Sequence, residues 1–388
     1  MKPLKITITI RFLSLAILLF VVSYTYGQPP RPKPTPNDTL QSVRVLTNGK
    51  VMFSIYAPKA SKVTIDGDFL SLSGSVFGRQ KEMSKADNGV WTFTSEVLPA
   101  DAYTYSFIVD DVKTLDPRNT LLKESENSHD NYFVMEGESS EYCQNLNVPH
   151  GKLEELWFHS SVTDKMTRFH VYTPPGYEKV TKELPVLILQ HGGGDNDASW
   201  ATIGRANFIM DNLYAKKAAE PMVIVMPMGH PGEDFYAGLG VKEDPYYTQL
   251  FDEIIPLVHD KYQVKKDRYS TAFAGLSMGG LQALNVALFT PEKFGYVLPL
   301  STGFFEQQRK DLVNNYEEVL KNPEINKFKL FWIAMGGKSD IAYENGEAVK
   351  KIFDKYEIKY QTNTYDAGHT FITWRHNLLE FAPLLFQD

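Results

Sequence analysis

From residue 41 to 137, apolar and polar positions alternate with a period of two over short runs. "KVMFSIYAP" sets Val51, Phe53 and Ile55 against Met52, Ser54 and Tyr56; "SKVTIDGDF", "GVWTFTSEV" and "AYTYSFIVDD" repeat the device between turns rich in Gly, Asp, Asn and Pro. Such alternation sends successive side chains to opposite faces of a strand. Several short strands at this spacing predict an all-β, immunoglobulin-like sandwich of roughly 100 residues. Trp91, Tyr103 and Tyr105 lie in these strands, where both core packing and stacking on a sugar are open to them.

From residue 153 to 388 the texture changes. The apolar runs "PVLILQ" (185–190) and "PMVIVMP" (221–227) alternate with helix-length segments such as "YTQLFDEIIPLVHDKY". "TAFA" (271–274), "LFWIAM" (330–335) and "IKYQTNTY" (358–365) add further strands. Strands apolar on both faces and separated by helices predict an α/β domain with a parallel sheet covered on both sides. Residues 138–152 read as a polar linker between the two regions.

The first residues read as an address. Lys2, Lys5 and Arg11 precede or open an apolar stretch from Phe12 to Val22, followed by the small residues Thr25 and Gly27. That stretch is too short to span a bilayer, so residues 1–27 are expected to be a cleaved signal peptide. The expected mature protein is secreted or periplasmic and has no membrane attachment after cleavage. "QPPRPKPTPND" follows, and residues 28–40 read as a Pro-rich, semi-rigid linker in polyproline II conformation. The net charge of −7, with no Lys/Arg run longer than two residues, argues against nucleic acid as a partner. The single cysteine, Cys143, excludes an internal disulfide framework. Without an H-x-H or H-E-x-x-H spacing no metal site is expected, and the chemistry below calls for no cofactor.

That chemistry starts at "AFAGLSMGGLQAL", residues 272–284, where Gly275-Leu276-Ser277-Met278-Gly279 joins an apolar run to a helix-periodic one. G-x-S-x-G marks a nucleophile elbow. It also arises by accident in about one chain of this length in ten, with Gly and Ser each near 7% of residues. Three further features decide between these. "LILQHGGGD" places His191-Gly192-Gly193-Gly194 directly after an apolar strand, and glycines let backbone N–H groups turn inward with no Cβ in the way. The amides of Gly192 and Gly193, together with that of Met278, form a candidate oxyanion hole. "LFWIAMGGKSD" puts Asp340 just past a strand, and "YDAGHTF" puts His369 in the loop after the last one. The order Ser277, Asp340, His369 is that of nucleophile, acid and base in an α/β-hydrolase. Glu344 at the next helix start is an alternative acid, and Asp366 is expected to shape the turn before His369. Cys143 is the competing nucleophile, in a polar stretch without strand or helix signals.

At these residues a resemblance is plain. The stretch 184–388 is similar to the esterase D-like enzymes of carbohydrate esterase family 1, the feruloyl and acetylxylan esterases. It is carried by "HGGGDNDASWATIGRANFIMDNL", "PMVIVMPMG", "FDEIIPLVHDKYQVKKDRYSTAFAGLSMGGLQAL", "GGKSD" and "AGHTFITWRHNL". The resemblance implies an α/β-hydrolase fold, with Ser277 as nucleophile, Asp340 as acid and His369 as base. The implied substrate is an acylated polysaccharide or oligosaccharide of the xylan type, from which ferulate or acetate is released. Residues 41–137 resemble carbohydrate-binding module family 48 in "FSIYAPKASKVTIDGDF", "GVWTFTSEVLPADAYTYSFIVDD" and "LDPRN". The loops 229–247 and 302–320 are not diagnostic of the acyl group. Trp200, Phe304, Met335 and Trp374 are candidates to line the acyl pocket. Two alternatives stand beside this reading: an exported esterase for another acyl substrate, such as a siderophore ester, and a non-catalytic carbohydrate-binding scaffold.

Overall fold

The computed structural model describes residues 33–70, 79–179, 181–231, 238–242 and 244–387. The expected signal peptide, the first part of the Pro-rich linker and residues 232–237 of the 229–247 loop lie outside the described residues. Met1–Leu40 forms one unit and Gln41–Asp388 another. In the first, a 3-10 turn at Pro36–Asp38 is capped by the Asp38 carboxylate, which accepts the Thr35 N–H at 2.6 Å.

The alternating region of the second unit folds into ten strands among the described residues. They are β1 (Val43–Val45), β2 (Lys50–Tyr56), β3 (Val63–Gly67), β4 (Lys81–Glu82), β5 (Ser84–Lys85), β6 (Val90–Val97), β7 (Ala102–Val109), β8 (Val112–Thr114), β9 (Leu122–Lys123) and β10 (Asp130–Val134). They make two antiparallel sheets, ordered β1-β2-β6-β5 and β4-β3-β7-β10-β9, with β8 paired to β7. The inward positions meet as an aromatic core: Phe53 stacks on Phe69 at 4.6 Å between centroids, and Tyr105 and Phe133 pack against Phe53 at 5.2 and 5.4 Å. Trp91, Tyr103 and Tyr105 all belong to this core. The Trp91 indole donates to the Ala57 carbonyl, the Tyr103 hydroxyl to the Pro99 carbonyl and the Tyr105 hydroxyl to Asp116. Their rings are therefore packing elements and not a platform for a sugar.

The second region forms an eight-stranded sheet: β11 (Lys152–Ser160), β12 (Lys165–Thr173), β13 (Val186–Gln190), β14 (Val223–Pro227), β15 (Thr271–Leu276), β16 (Tyr296–Leu300), β17 (Leu330–Met335) and β18 (Gln361–Thr364). Its order is β11-β12-β14-β13-β15-β16-β17-β18. β11, β12 and β14 pair antiparallel in turn, and every later pairing is parallel. This is the α/β-hydrolase arrangement that the resemblance implies, and its parallel part is the sheet that the alternating runs predict. β13 to β17 are buried on both faces apart from Thr271 at the start of β15, which explains their nearly continuous apolar sequences. Helices Ala206–Ala215 and Phe371–Phe381 contribute to the core on one face of the sheet; Ile255–Lys261, Met278–Phe289 and Tyr343–Lys355 contribute to the core on the other.

The hairpin β11–β12 and strand β16 are additions to the elements that the sequence pattern predicts. β16 carries Pro299 opposite Gly275 of β15, and a proline argues against a central strand because it cannot donate to the ladder. The expected linker 138–152 is also more structured than its polarity suggests. Glu138–Cys143 is a 3-10 helix with Ser140, Tyr142 and Cys143 buried. The Asn212 side-chain amide, on helix Ala206–Ala215, donates to the carbonyls of Glu141, Tyr142 and Gln144.

The sandwich and the α/β region share their packing. Ala102 and Tyr132 join the core beneath the large sheet, while Ala367 and Ile372 join the core of the sandwich. At the junction lies a buried ion pair: the Arg375 guanidinium donates to Asp101 at 2.7 and 3.1 Å and to the carbonyls of Ala102 and Ile203.

Candidate functional site

The turn from β15 into helix Met278–Phe289 is strained at its corner, where Ser277 has φ 52° and ψ −110°. A non-glycine residue in such a conformation persists only where the surroundings hold it there. The flanking glycines allow the turn. A Cβ on Gly275 would meet the Gly279 carbonyl oxygen at 2.2 Å, and a Cβ on Gly279 would meet the His191 carbonyl oxygen at 2.6 Å. The Gly279 N–H donates to that same oxygen, and the Ser277 N–H donates to Leu300. The serine is thus raised out of the strand with its side chain free to meet a base.

His369 is that partner. Its Nε2 lies 3.0 Å from the Ser277 hydroxyl and its Nδ1 lies 2.8 Å from Asp340 Oδ1. Asp340 follows β17 and also accepts the N–H groups of Gly336 and Ala342, both at 2.9 Å. Burial raises the Asp340 carboxyl pKa, but the hydrogen bond and charge of His369, with help from Ser301 and Ala342, bring it below the usual aspartate value. Asp340 is therefore ionised and acts as an acceptor, so Nδ1 of a neutral His369 carries the proton and Nε2 is left to accept from Ser277. Among the alternatives, Glu344 is exposed on its helix and Asp366 is exposed on the turn. Cys143 is fully buried, donates to the Ser140 carbonyl, and has its thiol pKa pushed up by burial.

The glycine loop stands opposite. A Cβ on Gly192 would lie 2.6 Å from Leu276 Cδ1 and 3.4 Å from the Ser277 Cβ, and one on Gly193 would lie 4.0 Å from the Met278 Cβ. Met278 is the first residue of its helix, where the backbone N–H has no intrahelical acceptor. His191 braces the loop from behind: its Nδ1 donates to the Gly192 carbonyl and its Nε2 accepts from the Gly229 N–H, both at 2.8 Å. Burial depresses the His191 pKa to about 4, which keeps the ring neutral, as this donor–acceptor pattern requires.

A cavity of about 210 Å³ joins these groups, with Gly192, Gly193, Ser277, His369 and Trp374 in its lining. Trp374 is the one proposed pocket aromatic that the cavity reaches. Its ring meets His369 edge to face at 5.1 Å, and its indole N–H donates to Ser301 at 2.9 Å. Trp200, Phe304 and Met335 are core residues instead. The Trp200 indole donates to the Gln190 carbonyl and its ring packs on Phe371. Phe304 belongs to the core on the other face of the sheet, and the Met335 thioether lies against Gly346. The cavity also has walls that the sequence reading missed. Phe371 supplies a second aromatic edge, and Asp68, Arg79, Thr104, Lys123 and Asp130 of the sandwich close the far side. Burial raises the Asp68 carboxyl pKa to about 6, partly offset by Arg375 and Arg79. Among the described residues no group of three His, Cys, Asp or Glu side chains is arranged to hold a metal ion.

Residues 160–385 match the Esterase family, described as "Putative esterase", and residues 40–122 match carbohydrate-binding module 48, the isoamylase N-terminal domain. The chain is similar to an endo-1,4-beta-xylanase/feruloyl esterase of Xylanibacter ruminicola, with 31% identity over 366 residues covering 92% of this chain and 47% of that protein. It spans about half the length of the curated relatives it matches. Among solved structures, a ferulic acid esterase is similar over 61% of this chain and 98% of its own, with TM-score 0.54 and 24% identity. The enterobactin esterase of Shigella flexneri is similar over 89% of this chain and 95% of its own, with TM-score 0.66 and 18% identity. At those identities the two structures speak for the fold alone. The family match spans the whole α/β region that carries Ser277, Asp340 and His369, and the chain belongs to the esterase family.

Proposed function

We propose that this chain is an exported serine carboxylic-ester hydrolase acting on acylated plant polysaccharide, with ferulate or acetate as the acyl group. The observation that carries the reading is the hydrogen-bonded chain Ser277–His369–Asp340, set in a cavity beside two glycine amides. His369 Nε2 takes the Ser277 proton as the hydroxyl oxygen attacks the ester carbonyl, while Asp340 holds the ring in the required tautomer and steadies the imidazolium. The amides of Gly192, Gly193 and Met278 receive the oxyanion, a contribution typically of about 3–4 kcal/mol per donor. The imidazolium then gives its proton to the departing sugar alkoxide. Water, deprotonated by the same histidine, frees the acyl group and restores Ser277.

Ferulate is favoured over acetate by the aromatic edges of Trp374 and Phe371 in the cavity and by the Xylanibacter ruminicola relative, whose name couples xylanase with feruloyl esterase. A siderophore ester is the second reading, motivated by the similarity to the Shigella flexneri enterobactin esterase across most of the chain. Incubation with arabinoxylan is expected to release ferulate faster than acetate, followed by chromatography of both acids from one preparation. Faster hydrolysis of a cyclic catecholate ester, with neither acid released from arabinoxylan, would favour the siderophore reading. Export rests on the stretch Lys2–Gly27. Protein recovered outside the cytoplasm is expected to begin near Gln28 on N-terminal sequencing, and an intact Met1 would overturn that part.

A further inference from the structure

We propose that the segment Lys123–Glu126, leaving the sandwich at β9, is a positioning clamp for the glycine loop, with the Lys123–Asp195 ion pair as its fastening. The inference rests on the oxyanion role proposed above for that loop. Gly192, Gly193 and Gly194 have no side chains to anchor them, and Gly194 sits at φ +76°, a conformation that leaves the backbone soft unless neighbours hold it. The neighbours come from the sandwich. The Glu126 N–H donates to the Gly194 carbonyl at 3.0 Å, and Ser125 forms an antiparallel bridge with Asp195. The Ser199 hydroxyl donates to the Glu124 carbonyl at 2.8 Å, so the loop's far end is tied to the same segment.

Lys123 completes the arrangement from inside the cavity. Its Nζ lies 2.8 Å from Asp195 Oδ1 and 5.5 Å from the centroid of the Phe371 ring. Burial disfavours the ammonium charge, but the Asp195 carboxylate outweighs it and raises the lysine above its ordinary pKa, so Lys123 keeps its charge. Asp195 in turn donates its N–H to the Gly192 carbonyl at 3.2 Å, the oxygen that His191 also holds. Displacing the carboxylate would therefore loosen the Gly192–Gly193 peptide, whose N–H is one of the donors proposed above for the oxyanion. Oxyanion donors act only when they are fixed before charge develops, and what they stabilise is the transition state and not the bound ester. A loosened clamp should consequently lower kcat and leave KM in place.

The test uses the full chain, with a p-nitrophenyl ester as probe and an unfolding midpoint measured beside the kinetics. Lys123→Met is expected to lower kcat by about 10- to 100-fold, less than the full loss of an oxyanion donor can cost, with KM within about twofold of the parent. Lys123→Arg should recover most of the loss, because it restores the cation. Asp195→Asn should mimic Lys123→Met, and the two together should be no worse than the poorer single change, since they break one pair. Asp195→Asn conserves side-chain volume and carries the test alone if Lys123→Met does not fold. A kcat unchanged in both single variants, a loss confined to KM, or a Lys123→Arg no better than Lys123→Met would each overturn the clamp. Ser277→Ala, measured alongside, separates the two levels: if it is inactive while the clamp variants match the parent, only the clamp fails. If Ser277→Ala is as active as the parent, the serine mechanism fails and the clamp with it.

Discussion

Ser277→Ala and His369→Ala are each expected to lower kcat by about 10⁶-fold, the scale for groups that act as one proton-transfer unit, with the folded structure retained. The geometry leaves neither side chain a substitute. Among the described residues, His369 at 3.0 Å is the base within reach of Ser277, and His369 is held on its other side by Asp340 at 2.8 Å. Asp340→Asn is expected to cost about 10²- to 10⁴-fold. Asp340 Oδ1 now accepts both the His369 Nδ1 proton and the Ala342 N–H, and Oδ2 accepts from Gly336. An amide keeps one of those acceptors but turns an NH₂ toward the other, favouring the tautomer with the proton on Nε2, where it cannot receive that of Ser277. In the proposed mechanism the three act together, so Ser277→Ala combined with Asp340→Asn should be no slower than Ser277→Ala alone. Glu344→Gln should be silent, since Glu344 is exposed on its helix. A near-parental Asp340→Asn together with an inactive Glu344→Gln would reassign the acid. Steady-state kinetics on a p-nitrophenyl ester, with circular dichroism to verify folding, decides each case.

The three residues were legible because each is marked by its own neighbours. Ser277 lies between two glycines at a strand end, and Asp340 and His369 fall in loops directly after apolar or β-prone runs. In a parallel sheet all such loops gather at one edge, so three local signals imply one common place. Nothing local marks the sandwich side of the cavity. Lys123 meets Asp195 across 72 positions of chain, and "LLKESENSHD" has the polar composition of an ordinary surface loop. Three of the pocket candidates failed for a different reason. Trp200, Phe304 and Met335 stand next to loops of the candidate site in sequence, and an apolar residue there looks the same whether it lines a cavity or backs it. Only packing separates them: Trp200 turns its indole to Gln190 beneath the sheet, while Trp374 turns its ring to His369. The alternating pattern predicted the sandwich but not its attachment, because Asp101 reads as one of several turn aspartates until Arg375 is seen beside it.

That attachment carries the largest expected effect on stability. Arg375→Met is expected to destabilise the fold by about 3–5 kcal/mol, the usual consequence of removing one partner from a buried pair. Arg375 is wholly buried and Asp101 is 4% exposed, so the abandoned carboxylate cannot regain water without opening the junction. Its remaining partners are weaker. Tyr142 and His376 approach at 3.3 Å, and the Ala102 N–H at 2.7 Å serves one oxygen. Replacing both members, Arg375→Met with Asp101→Leu, should recover part of the loss, since a well-packed apolar pair avoids the desolvation of two charges. The pH dependence follows from the carboxyl group. Burial raises the Asp101 pKa, but Arg375 and His376 more than reverse this and leave it below the ordinary value of 3.8. A carboxyl depressed on folding stabilises fully above its unfolded pKa, and that contribution is lost as pH falls through the lower, folded value. The advantage of the parent over the double variant should therefore be constant from neutral pH down to about pH 5 and shrink below about pH 4. Urea unfolding at a series of pH values measures it. The helix bearing Arg375 also carries Trp374, which packs on His369, so Arg375→Met should lose activity at temperatures below its unfolding midpoint. A variant as stable as the parent at neutral pH would mean that the junction is held by its apolar contacts, Ala102 and Tyr132 on one side and Ala367 and Ile372 on the other, and that the ion pair only sets its register.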